Sequence, residues 1–416
     1  MTILQEIPQQ LLVIGEARLL AGLDRGRADL VRHLWTHGEQ PQLTREAYAA
    51  LAEEAGLKGR GGAGFPVTRK LADLPAQGIE AVVVNGSESE PVSRKDRLLL
   101  TLAPHLVLDG ATGLARALGA HRVVVAVHDA TAAASLRAAL AERVTDEAEH
   151  RYRSDGLDIQ IADTPGRFVA GEARAVLSIL GGGPAVPPGR RTLPTRQGLD
   201  GRPTFLSNVE TFAQLAVLAR LGSRQFSATG LRGEPGTQLL TIAGAVQRPG
   251  VLETPTGIPL DTVLQYAGAE PGPVLVGGYH GRWLPQTDGV TLSRPQVSAG
   301  IVLALGSTTC PLGEVHRVAQ WLASQSAGQC GPCLFGLGAL VDDFARLLQG
   351  DPTGWQDAQR HLGLVPGRGA CAHPDGSARF LASALEIFTD DLQRHLTTGT
   401  CGRAVQGVLP VPGGAW

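Results

Sequence analysis

The sequence predicts an α/β domain with a parallel sheet, followed by a small α+β module and a C-terminal bundle of four helices. Three observations carry this reading. Valine-rich runs alternate with helix-spaced segments in the first half, short strands and turns take over near Gly236, and from Pro311 onward the pattern is helical.

Residues 1–45 are weakly patterned and form an N-terminal segment. Thr44 then caps a helix through Ala55 that stops at Gly56. "EAVVVN" (Glu80 to Asn85) and "RVVVAVHD" (Arg122 to Asp129) are short apolar runs expected of strands buried on both faces. "HLVLDGATGLARALGA" (His105 to Ala120) between them and "TAAASLRAALAERV" after them carry helical spacing, so residues 46–235 read as a parallel α/β domain. Residues 236–308 hold short strands, a Pro249–Gly250 turn, a helix from near Asp261 and a strand pair in "PVLVGGYHGRWL". In residues 309–416, "PLGEVHRVAQWLASQ" begins with proline, shorter helical runs lie near 334–349 and 353–362, and "SARFLASALEIFTDDLQRHL" reads as one final helix.

Composition excludes several classes of function. The chain has 416 residues, 43% of them hydrophobic and 18% charged, and a net charge of −2, which leaves no basic footprint for nucleic acid. No basic segment leads into an apolar run near the start, and no stretch of about 18 apolar residues occurs, so a cytoplasmic protein that does not span a membrane is expected. All five cysteines (Cys310, Cys330, Cys333, Cys371, Cys401) fall in the last quarter, as in a metal or redox module rather than a disulfide framework.

Four polar stretches stand where ligands bind in open α/β sheets. "LKGRGGAGFPVTRK" (Leu57 to Lys70) has four glycines in six residues; its backbone N–H groups can approach a phosphate with Arg60 and Lys70 adding charge, or it is simply a tight turn. "NGSESEPVSRKDR" (Asn85 to Arg97) follows a strand directly, as a ligand loop or a solvated one would. "FVAGEARAV" (Phe168 to Val176) and "FLSNVETFA" (Phe205 to Ala213) repeat the pattern, which favours a shared site. At the C-terminus Cys330-x-x-Cys333 with a remote Cys371 suits an iron–sulfur cluster or zinc, or is a set of ordinary buried cysteines.

"GLKGRGGAGFP", "NGSESEPVSRKDR", "GEARAV", "GRPTFLSNVET" and "SAGQCGPC" occur in the order seen in the NADH-binding flavoprotein subunit of respiratory complex I and in related hydrogenase and formate dehydrogenase subunits. The chain resembles that family over roughly residues 45 to 400. The resemblance implies an FMN- and NADH-binding α/β domain, a ubiquitin-like β-grasp module of the soluble-ligand-binding type, and a helical bundle holding an iron–sulfur cluster. It implies that Gly59, Arg60, Gly61, Gly62 and Gly64 line the flavin and nucleotide site, with Lys70 near phosphate and Phe65 stacking on adenine. Asn85, Glu88 and Glu90 would surround flavin and nicotinamide, the two glutamates as the candidate catalytic groups, and Gly171, Glu172, Asn208 and Thr211 would complete the pocket. The activity implied is that of an NADH dehydrogenase subunit: hydride passes from NADH to FMN, then single electrons pass through the cluster to a partner such as a ferredoxin or another oxidoreductase subunit.

The chain also departs from the family. An acidic position is Ser87, a glutamate is Ala173, a lysine and an aromatic are Arg190 and Leu193, and the segment after Lys70 reads Leu71-Ala72-Asp73 instead of aromatic. These losses predict weakened NADH binding more than weakened FMN binding. The first cysteine of the family's C-x-x-C-x-x-C is Ala327, so Cys330, Cys333 and Cys371 remain, with His373 a candidate fourth ligand or a plain loop histidine. A [4Fe–4S] cluster is expected, with a [3Fe–4S] form or no cluster as the other outcomes. Cys310 and Cys401 fall at the opposite end of the bundle, about 22 Å or more away by helix rise. The alternatives are a scaffold or assembly protein that has lost dinucleotide use and a zinc-stabilised interaction module.

Overall fold

The computed structural model describes residues 10–148, 156–189, 192–284 and 289–412. Arg190 lies outside the described residues. The first sheet is fully parallel, in the order Asp158–Asp163, Arg122–Val127, Ala81–Gly86, Thr204–Asn208. Its valine runs are buried on both faces, as expected. Val82 and Val84 join the larger core with the helices Pro104–Leu118 and Val209–Phe226, while Ala81 and Val83 pack with Val176 and Leu177 of the helix Ala173–Leu180. Close packing on the first face depends on Gly110, where a Cβ would collide with the backbone of Phe212. The expected helix after Thr44 spans Arg45–Glu54, with the Thr44 hydroxyl accepting from Ala47 N at 3.2 Å.

A second, six-stranded mixed sheet runs Gln10–Val13, Gly250–Pro255, Thr237–Gly244, Ile301–Ala304, Val274–Val276, Arg282–Leu284, with the helix Leu260–Ala267 packed on it. The weakly patterned N-terminal segment thus supplies an edge strand, parallel to Gly250–Pro255. Buried Glu253 fastens it, accepting backbone N–H groups from Arg18, Leu19 and Leu20 and the Thr237 hydroxyl at 2.6–3.0 Å. The three backbone contacts cross more than 230 residues of sequence, which is why no local pattern announces the strand.

The C-terminal part holds the helices Pro311–Ser324, Leu337–Leu348, Pro352–Leu364, His373–Ile387 and Thr389–Thr398. The expected single final helix is two. It breaks at Phe388, which is buried with its ring 5.1 Å from Trp283, and Asp390 and Asp391 then suit the N-terminus of a new helix. No single described helix is long and apolar enough to cross a membrane. One bent pair, Lys95–Leu102 with Pro104–Leu118, passes on length and composition, and the second of these is a buried core helix.

Candidate active site

The C-terminal ends of Ala81–Gly86 and Thr204–Asn208 stop side by side, with Asn85 and Asn208 in register. Beyond them opens a cavity of about 610 Å³. The glycine loop lines it with Gly59, Arg60, Gly61, Gly62, Gly64, Phe65 and Lys70; the loop after the first strand adds Asn85, Glu88 and Glu90; and Gly171, Glu172 and Asn208 close it. Thr211 stands behind the wall, fully buried, with its hydroxyl accepting from Arg60 N at 2.9 Å. A Cβ on Gly62 would meet nothing within 4 Å, so the glycine leaves open space to a ligand and not to neighbouring protein. Gly171 is different: a Cβ there would stand 2.6 Å from Ser87 O, and its own carbonyl accepts from Asn85 Nδ2 at 3.0 Å. The two loops are thereby bolted together.

The charges divide into structural and free groups. Lys95 is buried between Asp96 (2.8 Å) and Glu210 (3.1 Å); burial opposes its charge, but these carboxylates outweigh it and keep the ammonium protonated. Glu88 caps the helix Lys95–Leu102, its carboxylate accepting from Asp96 N at 3.1 Å, Arg97 N at 2.8 Å and the Ser93 hydroxyl. Glu90 is not so occupied. One oxygen accepts from Tyr279 N at 3.0 Å, the other is buried without a partner, and burial pushes the carboxyl up to about 8, so it is protonated at neutral pH. Arg60, 2% exposed, faces Glu210 Oε1 across 3.9 Å, and its Nε and Nη1 have no acceptor at hydrogen-bond distance. Lys70 donates to Leu206 O (2.9 Å) and Ser207 Oγ (3.3 Å), has no carboxylate partner among the described residues, and is lowered to about 8 by burial. An open cradle edged by a guanidinium with unused N–H groups and an ammonium without a carboxylate partner fits a ligand that carries a phosphate.

This arrangement gives a pH dependence with a definite sign. Below about pH 8 Lys70 is cationic and Glu90 neutral; above it the cavity loses one positive charge and gains one negative charge. Affinity for FMN should therefore be level between about pH 7 and 8, above the range in which Asp96 and the FMN phosphate titrate, and fall above pH 8, by up to about tenfold per pH unit for each linked proton. Flavin fluorescence titrations across that range would show it, and Lys70→Met should flatten part of the slope.

At one corner the cavity reaches Cys371. Cys330 and Cys333 sit where the chain enters the π-turn Pro332–Gly336, and each of the three sulfurs faces backbone N–H groups: Ala370 and Cys333 toward Cys330, Ala327 and Gly328 toward Cys333, His373 toward Cys371. Sulfurs ringed by amides suit an iron–sulfur cluster held by three thiolates. His373 is engaged elsewhere. Its Nε2 meets Leu322 O at 2.9 Å and its Nδ1 meets His280 Nε2 at 3.1 Å, leaving no free ring nitrogen for a cluster, contrary to the candidate role drawn from sequence.

Two domain families match this chain. The Nuo51 FMN-binding domain matches residues 52–217, and the NADH-ubiquinone oxidoreductase-F iron-sulfur binding region matches residues 313–395; together they span more than half of the chain. Residues 52–217 thus belong with the Nuo51 FMN-binding domains and residues 313–395 with the NADH-ubiquinone oxidoreductase-F iron-sulfur binding regions. The chain is similar to an NADH-quinone oxidoreductase subunit of Rhizobium meliloti (strain 1021), 28% identical over 386 residues, covering 86% of this chain and 91% of that protein. The corresponding NADH-quinone oxidoreductase subunit of Mycobacterium bovis is 29% identical and covers 85% of each. Among solved structures, an NAD⁺-reducing [NiFe]-hydrogenase in the H₂-reduced state superposes with a TM-score of 0.82 at 26% identity, over 93% of this chain and 68% of that one.

Two of the described positions that depart from the family pattern fall on the cavity. Ser87 and Ala173 line it; Leu193 is exposed; and Asp73 clamps a neighbouring loop through Arg196 Nε at 2.9 Å and the Thr195 hydroxyl. Sequence reasoning missed the wall supplied by the second sheet, where Gly277, His280 and Ser298 face the cavity. It also missed Arg294, which donates to Gly61 O at 2.6 Å and so braces the glycine loop. Those residues belong to no motif, and only the tertiary fold brings them there.

Proposed function

We infer that this protein is an NADH-oxidising flavoprotein subunit that feeds single electrons to a partner through an iron–sulfur cluster. The observation that carries the reading is that one cavity is lined both by the glycine loop and by Cys371, so flavin site and cluster site adjoin. FMN, when bound, accepts hydride from NADH and releases electrons one at a time.

The protein's own residues hold and tune. Arg60 and Lys70 would neutralise the flavin phosphate, and Asn85 and Asn208 fix the two strand ends that frame the ring. Glu88 keeps the loop folded as a helix cap, and neutral Glu90 offers a buried O–H to the ligand in place of a charge. Glu172 is held by Arg174 at 3.0 Å at the rim. Phe65, 40% exposed on the glycine loop, is the stacking surface left for adenine. Cys330, Cys333 and Cys371 would hold the cluster with the fourth protein position vacated by Ala327. We read residues 46–235 as the flavin domain, 236–308 as a β-grasp module joined by the strand from segment 1–45, and the C-terminal helices as an elaborated four-helix bundle. A cytoplasmic ferredoxin or a sister oxidoreductase subunit is the acceptor this chemistry calls for.

Phe65→Ala tests the dinucleotide part. Reduction of bound flavin by NADH should need about five- to tenfold more NADH, the loss of one aromatic stack, with flavin content unchanged. An unaltered NADH dependence would remove Phe65 from the site.

A further inference from the structure

We propose that Cys310, His395 and Cys401 form a second metal site, a structural zinc centre that clasps the C-terminal tail to the helical domain at the end remote from the flavin cavity. All three residues are buried, and their ligand atoms lie within 4.8 Å of one another, the one such group among the described residues. Cys310 Sγ is 3.4 Å from His395 Nε2. Ligands about 2.3 Å (sulfur) and 2.0 Å (nitrogen) from a tetrahedral zinc ion stand about 3.5 Å apart, so Cys310 and His395 are already at coordination spacing, with the Cys401 sulfur within 4.8 Å of both.

The surroundings also fit. His395 Nδ1 donates to Leu348 O at 2.9 Å, which fixes the tautomer and turns the Nε2 lone pair toward the sulfurs, as in metal-ligating histidines. Cys310 caps the helix Pro311–Ser324 and accepts Gly313 N–H at 3.3 Å, while Arg403, paired with Asp391, supplies positive charge beside the two sulfurs. Two thiolates and an imidazole are a borderline-soft donor set that zinc accepts, one protein ligand short of a closed structural site, with water left for the fourth position. The flavin and cluster play no part in it. Cys310 begins a helix of 14 residues, about 21 Å long, whose far end leads to the cluster loop. What the site joins is the start of that helix, the last turn of Thr389–Thr398 and the tail, and the tail is docked alongside by Glu314, which accepts N–H groups from Gln406, Gly407 and Val408 at 2.6–3.1 Å.

The experiment uses full-length protein purified anaerobically and zinc alone as the probe. The doubly substituted Cys330→Ser/Cys333→Ser protein removes two of the three cluster cysteines from the count and leaves Cys371 alone there. It should still bind one zinc per chain, and cobalt in its place should give tetrahedral thiolate bands; adding Cys401→Ser should lower zinc affinity by at least about tenfold. Should that variant fail to fold, the unsubstituted protein decides: treatment with a chelator should open the tail to trypsin at Arg403, and zinc should close it again. Absence of zinc binding in the doubly substituted protein, binding indifferent to Cys401→Ser, a tail indifferent to chelator, or a Cys310–Cys401 disulfide found by mass spectrometry would each overturn the proposal. None of these readouts depends on flavin or NADH, so the site stands or falls apart from the redox reading.

Discussion

Gly62→Leu should leave the protein folded and empty it of flavin. A Cβ at Gly62 meets nothing within 4 Å, so the leucine side chain has room in the unliganded protein and only the cofactor stands in its way. Stability should change by no more than about 0.5 kcal/mol, as for a substitution that touches no packed neighbour, while flavin retained after purification falls at least about tenfold. Gly171→Leu is the contrast: its Cβ strikes Ser87 O at 2.6 Å, and that variant should lose stability as well as flavin. Undiminished flavin in Gly62→Leu would place the cofactor elsewhere.

The second large effect is expected at Ala327. Its backbone N–H already faces the Cys333 sulfur, and Gly328 beside it turns the chain with φ +65°, so the position lies on the cluster loop itself. With three thiolates, a cubane cluster has one iron without a protein sulfur. Mild oxidation should remove that iron first and leave a [3Fe–4S] signal in electron paramagnetic resonance. Ala327→Cys should abolish that signal and raise iron retained per chain toward four. Iron content and spectrum unchanged by the substitution would mean that this end of the bundle does not hold a cluster in the family's manner.

Much of this architecture was legible in the sequence because its signals are local. The valine runs at 82–84 and 123–125 could only be strands buried on both faces, the Thr44 cap is a contact three residues long, and each site loop follows a strand or opens a helix. What was not legible depends on distance along the chain. The edge strand Gln10–Val13 owes its place to Glu253, Arg294 braces a loop 233 residues away, and His373 reads as a loop histidine until His280, 93 residues off, takes its ring nitrogen. The break at Phe388 hides in an unbroken helical period, because it is the Trp283 ring and not a proline or glycine that decides it. Glu88 and Glu90 look alike in "SESEP", yet one is spent on a helix cap and the other is buried with an empty oxygen. Likewise, Cys310 and Cys401 are 91 positions apart in the chain, and nothing local hints that His395 stands between them.

The functional reading rests on hydride passing from NADH to flavin held in this cavity despite the departures at Ser87 and Ala173. Anaerobic titration of the purified protein with NADH, followed by the flavin absorbance, tests it most directly. The expected result is a yellow-brown protein whose flavin band bleaches on adding NADH, with a weaker dependence on NADH than an unaltered site would give. A protein that carries flavin but is not bleached by any concentration of NADH would contradict it, and would leave the scaffold without the reaction.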